Sequence, residues 1–275
     1  LRTLLIRPGA IGDCILSLPA LECLRGAYTE VWVPSAVVPL IRFAGRVRSI
    51  ASTGLDLLGL AGVEPPPPLL ENLREFDSIF SWYGSNRPEF RDCVRALGLP
   101  VRFLDALPPA DNRMHAADFF LAAAGCSGQA AAPRIPTPSA QRGDFTVIHP
   151  FSGGARKNWP IENYRELAQR LPIPVRWCAG PSEALDEAVR FDDLYELGCW
   201  LATASLYVGN DSGITHLAAA VGTPVVALFG PTDPAIWGPR GERVRILSGE
   251  LAAMPVEQVL AEANRIAIFP EPNRI

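Results

Sequence analysis

The stretch VGNDSGITHLAAAVGTPVVALFGPTDP, residues 208–234, decides the fold. Leu206–Gly209 is a short apolar strand, and Asn210-Asp211-Ser212-Gly213 interrupts it with turn-forming residues. A small-residue helix follows, and Val225–Phe229 is a second apolar strand. Strand, helix and strand in succession imply parallel α/β construction. Asp211 is placed to cap the helix, which would leave the N–H groups of Ser212 and Gly213 to bind an anion. His216 lies about one turn in, where it would reach the same ligand; a buried structural histidine is the plainer alternative. The loop from Phe229 to Pro234 would line the same sheet edge.

Working outward, the same alternation recurs on both sides. Upstream, Phe145–His149 is a strand, a glycine loop follows, and Pro160 opens the helix Ile161–Leu171 as a first-turn proline does. Val175–Ala179 is the next strand. Downstream, residues 255–267 form a last helix, expected to pack back towards the N-terminal half. Residues 126–143 carry three prolines and little periodicity, and read as an inter-domain linker. Before it, Thr3–Arg7 is a strand, Pro8–Gly12 a loop and Asp13–Arg25 a helix. Glu30–Pro34 and Ser78–Trp82 are further strands, Pro65–Pro68 a stiff surface connection, and 115–125 a helix ended by Gly125. The expected domains are therefore 1–135 and 144–254, with 255–275 as a terminal helix.

Composition bounds the rest. The 275 residues are 48% hydrophobic and 20% charged, enough for one large core or two ordinary ones. A formal net charge of −4 implies no general attraction to nucleic acid. The six cysteines include no C-x-x-C pair, and the three histidines show no metal-ligand spacing, so free thiols and a reduced, cytoplasmic setting are expected. The apolar run Ile214–Phe229 is broken by His216, Gly222 and Pro224, and no stretch has the ~18 apolar residues of a spanning helix. Peripheral contact with a membrane stays open.

Two further loops carry candidate chemistry. Arg7-Pro8-Gly9-Ala10-Ile11-Gly12-Asp13 leaves the first strand, where Gly9 and Gly12 permit close backbone approach to a ligand. Asp13 stands at the helix start, either as a cap or as a functional acid, and the positive helix end favours its charged form. The spacing is not that of a dinucleotide fingerprint. The second loop, His149 to Pro160, offers the Ser152 hydroxyl, the backbone of Gly153 and Gly154, and the cations Arg156 and Lys157. That set suits a phosphate or pyrophosphate, or else a polar surface turn. Glu183, after the strand Val175–Ala179, either accepts from ribose hydroxyls or favours a first helical turn.

Together, IRPGAIGDCILSLPAL (6–21), IHPFSGGARKNWPIENYRELAQRL (148–171) and the 208–234 stretch resemble glycosyltransferase family nine, the heptosyltransferases of the lipopolysaccharide inner core. The resemblance implies a GT-B fold: two Rossmann-like α/β domains whose parallel sheets face a central cleft. It implies inverting transfer from a nucleotide-sugar donor, usually ADP-heptose, to a lipopolysaccharide-core or related glycan or glycolipid acceptor, with no cofactor and no essential metal. Carried over residue by residue, Asp13 looks like the base, with Gly12 beside it. Ser152, Gly153 and Lys157 match the pyrophosphate-contacting segment, and Glu183 looks like the ribose-contacting acid. Asp211, Ser212, Gly213 and His216 match the diphosphate- and sugar-contacting motif. Ser152-Gly153 stands where the family often has two hydroxyl residues. The alternatives are a GT-B-like nucleotide-sugar epimerase and a degenerate binder without transferase activity. No second catalytic carboxylate stands out for the former, and the presence of Asp13, Lys157 and the 211–216 segment argues against the latter.

Overall fold

A computed structural model describes residues 1–128, 131–139 and 141–267. The chain divides into two compact units, Leu1–Ala131 and Ala132–Ile275. Each is built on one five-stranded parallel sheet.

In the first unit, β1 (Arg2–Ile6), β2 (Tyr28–Val33), β3 (Arg46–Ser49), β4 (Ser78–Ser81) and β5 (Val101–Phe103) stand in the order β3-β2-β1-β4-β5. Strand β1 is central and paired on both sides, and Leu4, Leu5 and Ile6 are almost fully buried. That is why it reads as an uninterrupted apolar run. The helix expected over 13–25 is two helices, α1 (Ile11–Leu16) and α2 (Leu18–Cys23), meeting at Ser17. Pro19 is the cause: it has no N–H to donate back into a continuous helix, but it suits the first turn of a new one. Similarly, Pro67 opens α3 (Pro67–Leu73), so the proline-rich stretch is connection only as far as Pro66. Helices α4 (Pro88–Ala96) and α5 (Ala116–Ala123) complete the unit. One core cluster joins Leu4, Ile6, Trp32 and Ile79 of the sheet to Leu69, Leu73, Phe90 and Val94 of α3 and α4.

The expectation of six free cysteines is corrected here. Cys23, ending α2, is disulfide-bonded to Cys126, just beyond α5; Cys14, Cys93, Cys178 and Cys199 are free. Sequence spacing carries no sign of this pair because α2 and α5 pack side by side across 103 residues of chain.

In the second unit, β6 (Thr146–His149), β7 (Val175–Trp177), β8 (Leu206–Asn210), β9 (Val225–Phe229) and β10 (Val244–Ser248) stand in the order β10-β9-β8-β6-β7. Every residue of β6, β8 and β9 is buried. Between them run α6 (Ile161–Arg170), α7 (Leu194–Ala202), α8 (Gly213–Ala220) and the short α9 (Pro234–Trp237). The terminal helix α10 (Val256–Ile266) sets Val256, Val259 and Ala263 into the core formed by α6, β8 and β9 of its own unit. The remainder of that segment, 268–275, lies outside the described residues. No helix among the described residues is long and apolar enough to cross a membrane.

Candidate functional site

Both sheets have a point where the winding reverses. Connections from the two strands there depart in opposite directions, and their loops part to leave a crevice at the carboxyl edge. In the first sheet this lies between β1 and β4, and in the second between β6 and β8. Asp13 follows β1, while Ser152, Gly153 and Lys157 follow β6 and Asp211, Ser212 and Gly213 follow β8. The loops singled out in the sequence are thus those that topology sends to the switch points.

At the first switch point, Asp13 is not the N-cap. Helix α1 begins two residues earlier than expected, with Ala10 as cap, and Asp13 is its third residue. Its Oδ2 accepts the Ala10 N–H at 3.1 Å, turning the carboxylate back over the helix start. Its Oδ1 has no hydrogen-bond partner among the described residues. Gly12, half-buried, occupies the first turn, where backbone N–H groups have no intrahelical acceptor. Gly9 has φ 123°, and a Cβ there would come within 3.2 Å of Asp13 Oδ2, so a side chain would both strain the loop and press on the carboxylate.

Beneath this loop lies a group in the same motif to which the sequence assigns no role. Arg7 is buried, and its guanidinium donates to the Ser17 hydroxyl (3.1 Å) and to the carbonyls of Pro8 (2.9 Å), Ala106 (3.2 Å) and Asp13 (3.3 Å). It stacks over the Phe120 ring at 4.5 Å. Burial lowers its pKa, while the nearby Cys14 and Asp13 act the other way. Burial also pushes the Cys14 thiol up to about 11, against the pull of Arg7.

At the second switch point the cap assignment also changes. Ser212, not Asp211, caps α8, accepting the Thr215 N–H at 3.3 Å. The amides of Gly213 and Ile214 keep the open, positive helix end. Asp211 faces elsewhere: its Oδ2 accepts from Lys157 Nζ at 2.6 Å, joining the β6 and β8 loops. The Asp211 carboxylate is 9% exposed and the Lys157 side chain 37%, so the pair is anchored on the acid and open on the cation. His216 is buried, one turn into α8. Ser152 donates to Asn158 Oδ1 at 2.7 Å, and Gly153 is exposed at the loop tip.

Asn210, which in the sequence is no more than a strand break, organises this edge. Fully buried, it accepts from the Trp159 N–H (3.0 Å) and the Tyr164 hydroxyl (2.9 Å) and donates to the Pro150 carbonyl (2.8 Å). The 150–159 loop therefore hangs from the end of β8. Two of these partners are backbone groups, and all three lie far off in the chain, which no local pattern discloses.

Glu183 lies beyond β7, the neighbour of β6. Its Oε2 accepts the Gly180 N–H at 2.6 Å and faces His149 Nε2 at 3.2 Å. Burial pushes this carboxyl up, but the hydrogen bonds from His149 and Gly180, with Arg190 nearby, outweigh it and hold the group below its ordinary value. The structure thus gathers Ser152, Gly153, Lys157, Asp211, Ser212, Gly213 and His216 around the carboxyl ends of β6 and β8, with Glu183 alongside at the end of β7. Gly12 and Asp13 belong to the first unit. Among the described residues, no three His, Cys, Asp or Glu side chains form a metal-binding group.

This arrangement offers a helix start and an ammonium for an anion, and elsewhere a carboxylate with an open oxygen. The sequence profile of glycosyltransferase family 9 (heptosyltransferase) matches residues 121–264. Over 128 residues the chain is 34% identical to lipopolysaccharide heptosyltransferase 1 of Salmonella typhimurium, covering 41% of this chain and 38% of that protein. Over 136 residues it is 42% identical to lipopolysaccharide heptosyltransferase 3 of Escherichia coli K12, covering 42% and 40%. These alignments span less than half the length of either relative. Among solved structures, the E. coli heptosyltransferase WaaC with ADP superposes with a TM-score of 0.69 over 97% of this chain and 100% of that one, at 18% identity. The architecture of two parallel-sheet α/β domains is the GT-B fold of these enzymes.

Proposed function

Because the chain belongs to glycosyltransferase family 9, we propose that it transfers a heptose, with inversion, from ADP-heptose to a lipopolysaccharide-core or related glycan. The observation that carries this reading is the β6/β8 switch point, where Lys157 and the start of α8 supply positive charge from two adjacent loops. When the bond from the anomeric carbon to the diphosphate breaks, negative charge grows on the departing nucleotide. Fixed amide dipoles and the Lys157 ammonium stabilise that charge without reorganising. Asp211 keeps Lys157 aimed, His216 and the 211–213 turn contact donor sugar and diphosphate, and Glu183 accepts from the ribose. The acceptor oxygen attacks the anomeric carbon from the opposite side and gives its proton to Asp13, whose Oδ1 is open. General-base help of this kind is worth about 10²–10⁴-fold. The charge stabilisation described comes from protein groups, so the reaction proposed needs no metal.

Calorimetric titration with ADP, UDP and GDP, in EDTA and then with Mg²⁺, tests the donor reading. Expected is metal-independent binding selective for ADP, weakened about 10–100-fold in Lys157→Ala, as loss of a charge-assisted contact predicts. A preference for UDP or GDP overturns the donor, and binding that requires Mg²⁺ overturns the metal-independent mechanism.

A further inference from the structure

His149 ends β6 with its side chain only 4% exposed, and the mechanism proposed gives it no task. A polar ring buried this deeply is costly unless hydrogen-bonded. Among the described residues its Nδ1 has no hydrogen-bond partner, and its polar contact is Nε2 with Glu183 Oε2 at 3.2 Å. In the neutral ring the single proton therefore belongs on Nε2, which donates to the carboxylate. The same oxygen takes the Gly180 N–H, while Glu183 Oε1 has no hydrogen-bond partner among the described residues. The backbone around Glu183 is pinned as well: Arg190 donates to the carbonyls of Glu183 (2.7 Å), Leu185 (3.0 Å) and Ala188 (3.1 Å). His149 also lies opposite Gly209 in the β6–β8 ladder, so the strand that carries the Lys157 loop and the one that carries Asp211 share its footing.

The two carboxylate oxygens thus have separate jobs. We propose that His149 is a positioning residue for nucleotide recognition: it anchors one oxygen of Glu183 so that the other is presented, in a fixed direction, to the ribose hydroxyls. This rests on the reading of Glu183 as the ribose-contacting acid. A carboxylate held at one end loses less rotamer freedom on binding than one held only by its stem.

The test compares affinities for ADP and 2′,3′-dideoxy-ADP in the wild type, Glu183→Gln, His149→Ala and His149→Gln, whose amide N–H lies at a similar reach to Nε2. Expected is a wild-type preference for ADP of about tenfold or more, the worth of a hydrogen bond to a charged group. In His149→Ala that preference falls below about threefold while dideoxy-ADP binds as before, and His149→Gln restores most of it. Equal weakening of both nucleotides in His149→Ala, or a preference that survives it, overturns the positioning role. A wild type without the preference, or one that Glu183→Gln leaves untouched, overturns the ribose reading and this proposal with it. As a readout that mere support of the fold would not move, the Glu183 carboxyl followed by ¹³C NMR should titrate higher in His149→Ala than in the wild type.

Discussion

The first sheet runs 3-2-1-4-5, whereas the second, counted from its own first strand, runs 2-1-3-4-5. The two windings reverse at different strand pairs, yet each brings two glycine-bearing or turn-forming loops to the reversal. Each unit also has one buried polar residue that ties together segments at this edge: those after β1 and β5 in the first, those after β6 and β8 in the second. In the first unit it is a cation: Arg7 donates to three carbonyls and a hydroxyl. In the second it is a neutral amide: Asn210 both donates and accepts. The difference follows the charge each loop presents. A buried arginine beneath Asp13 offsets the negative charge above it, whereas the loop with Lys157 already carries its own cation and needs no second charge below. The two differently wound sheets are thus held by chemically different centres, each matched to the side chain above it.

The sharpest way to break this comparison is to remove the side chain above the first centre and leave the second untouched. Asp13→Asn should lower transfer by about 10²–10⁴-fold while ADP affinity changes less than about twofold. Loss of nucleotide binding in that variant, read by calorimetry, would end the division of labour between the units. Next in size are the centres themselves. Asn210→Ala strands the Trp159 N–H, the Tyr164 hydroxyl and the Pro150 carbonyl, at about 1–3 kcal/mol for a buried group left unpaired. Hydrogen exchange should show faster opening across the second unit only. Arg7→Met should do the same across the first unit only. Exchange that rises in both units for either variant would contradict separate centres.

A smaller effect sharpens the second unit. Glu183 titrates below its ordinary value, so its contribution to stability is present above pH ~4.3 and is lost as pH falls through the lower, folded value. The side chain is 27% exposed, so solvent screens the interaction. The loss should be below about 1 kcal/mol, visible as an acid-side drop in urea midpoint that His149→Ala makes smaller. Smallest in energetic terms is a labelling contrast. Burial raises Cys14 to about 11 and Cys178 to about 12, so at pH 8 both remain thiols. Iodoacetamide should modify the half-buried Cys93 and Cys199 first, as peptide mass mapping would show.

What is legible in the sequence follows from the same physics. Strands β1, β6, β8 and β9 are interior strands with both faces covered, and they read as apolar runs. The edge strands β3 and β10, RVRS and VRILS, do not stand out, since a partly solvated edge carries arginines like any surface segment. The loops with Asp13, Lys157 and Asp211 are visible because short polar residues between strand and helix are conspicuous. Their internal arrangement is not. Whether Asp211 or Ser212 caps α8 turns on Lys157, 54 residues away, which draws the aspartate off the helix end. Asn210 escapes for the same reason, its partners lying 46–60 residues away. Arg7 escapes because most of its partners are backbone carbonyls, which any residue supplies, and one of them, Ala106, is 99 residues away.

The bond between Cys23 and Cys126 has a mechanical consequence. It closes a ring that contains β2 to β5 and leaves β1 outside, although β1 is the middle strand of that sheet. Tension applied at Leu1 and taken up anywhere after residue 126 would cross from one sulfur to the other. The enclosed chain spans 103 residues of separation and would carry no load. At the reach of an extended backbone that hides roughly 350 Å of contour. A force probe would see β1 shear from β2 and β4 and then find an unexpectedly short tether, which lengthens only when a reductant is added.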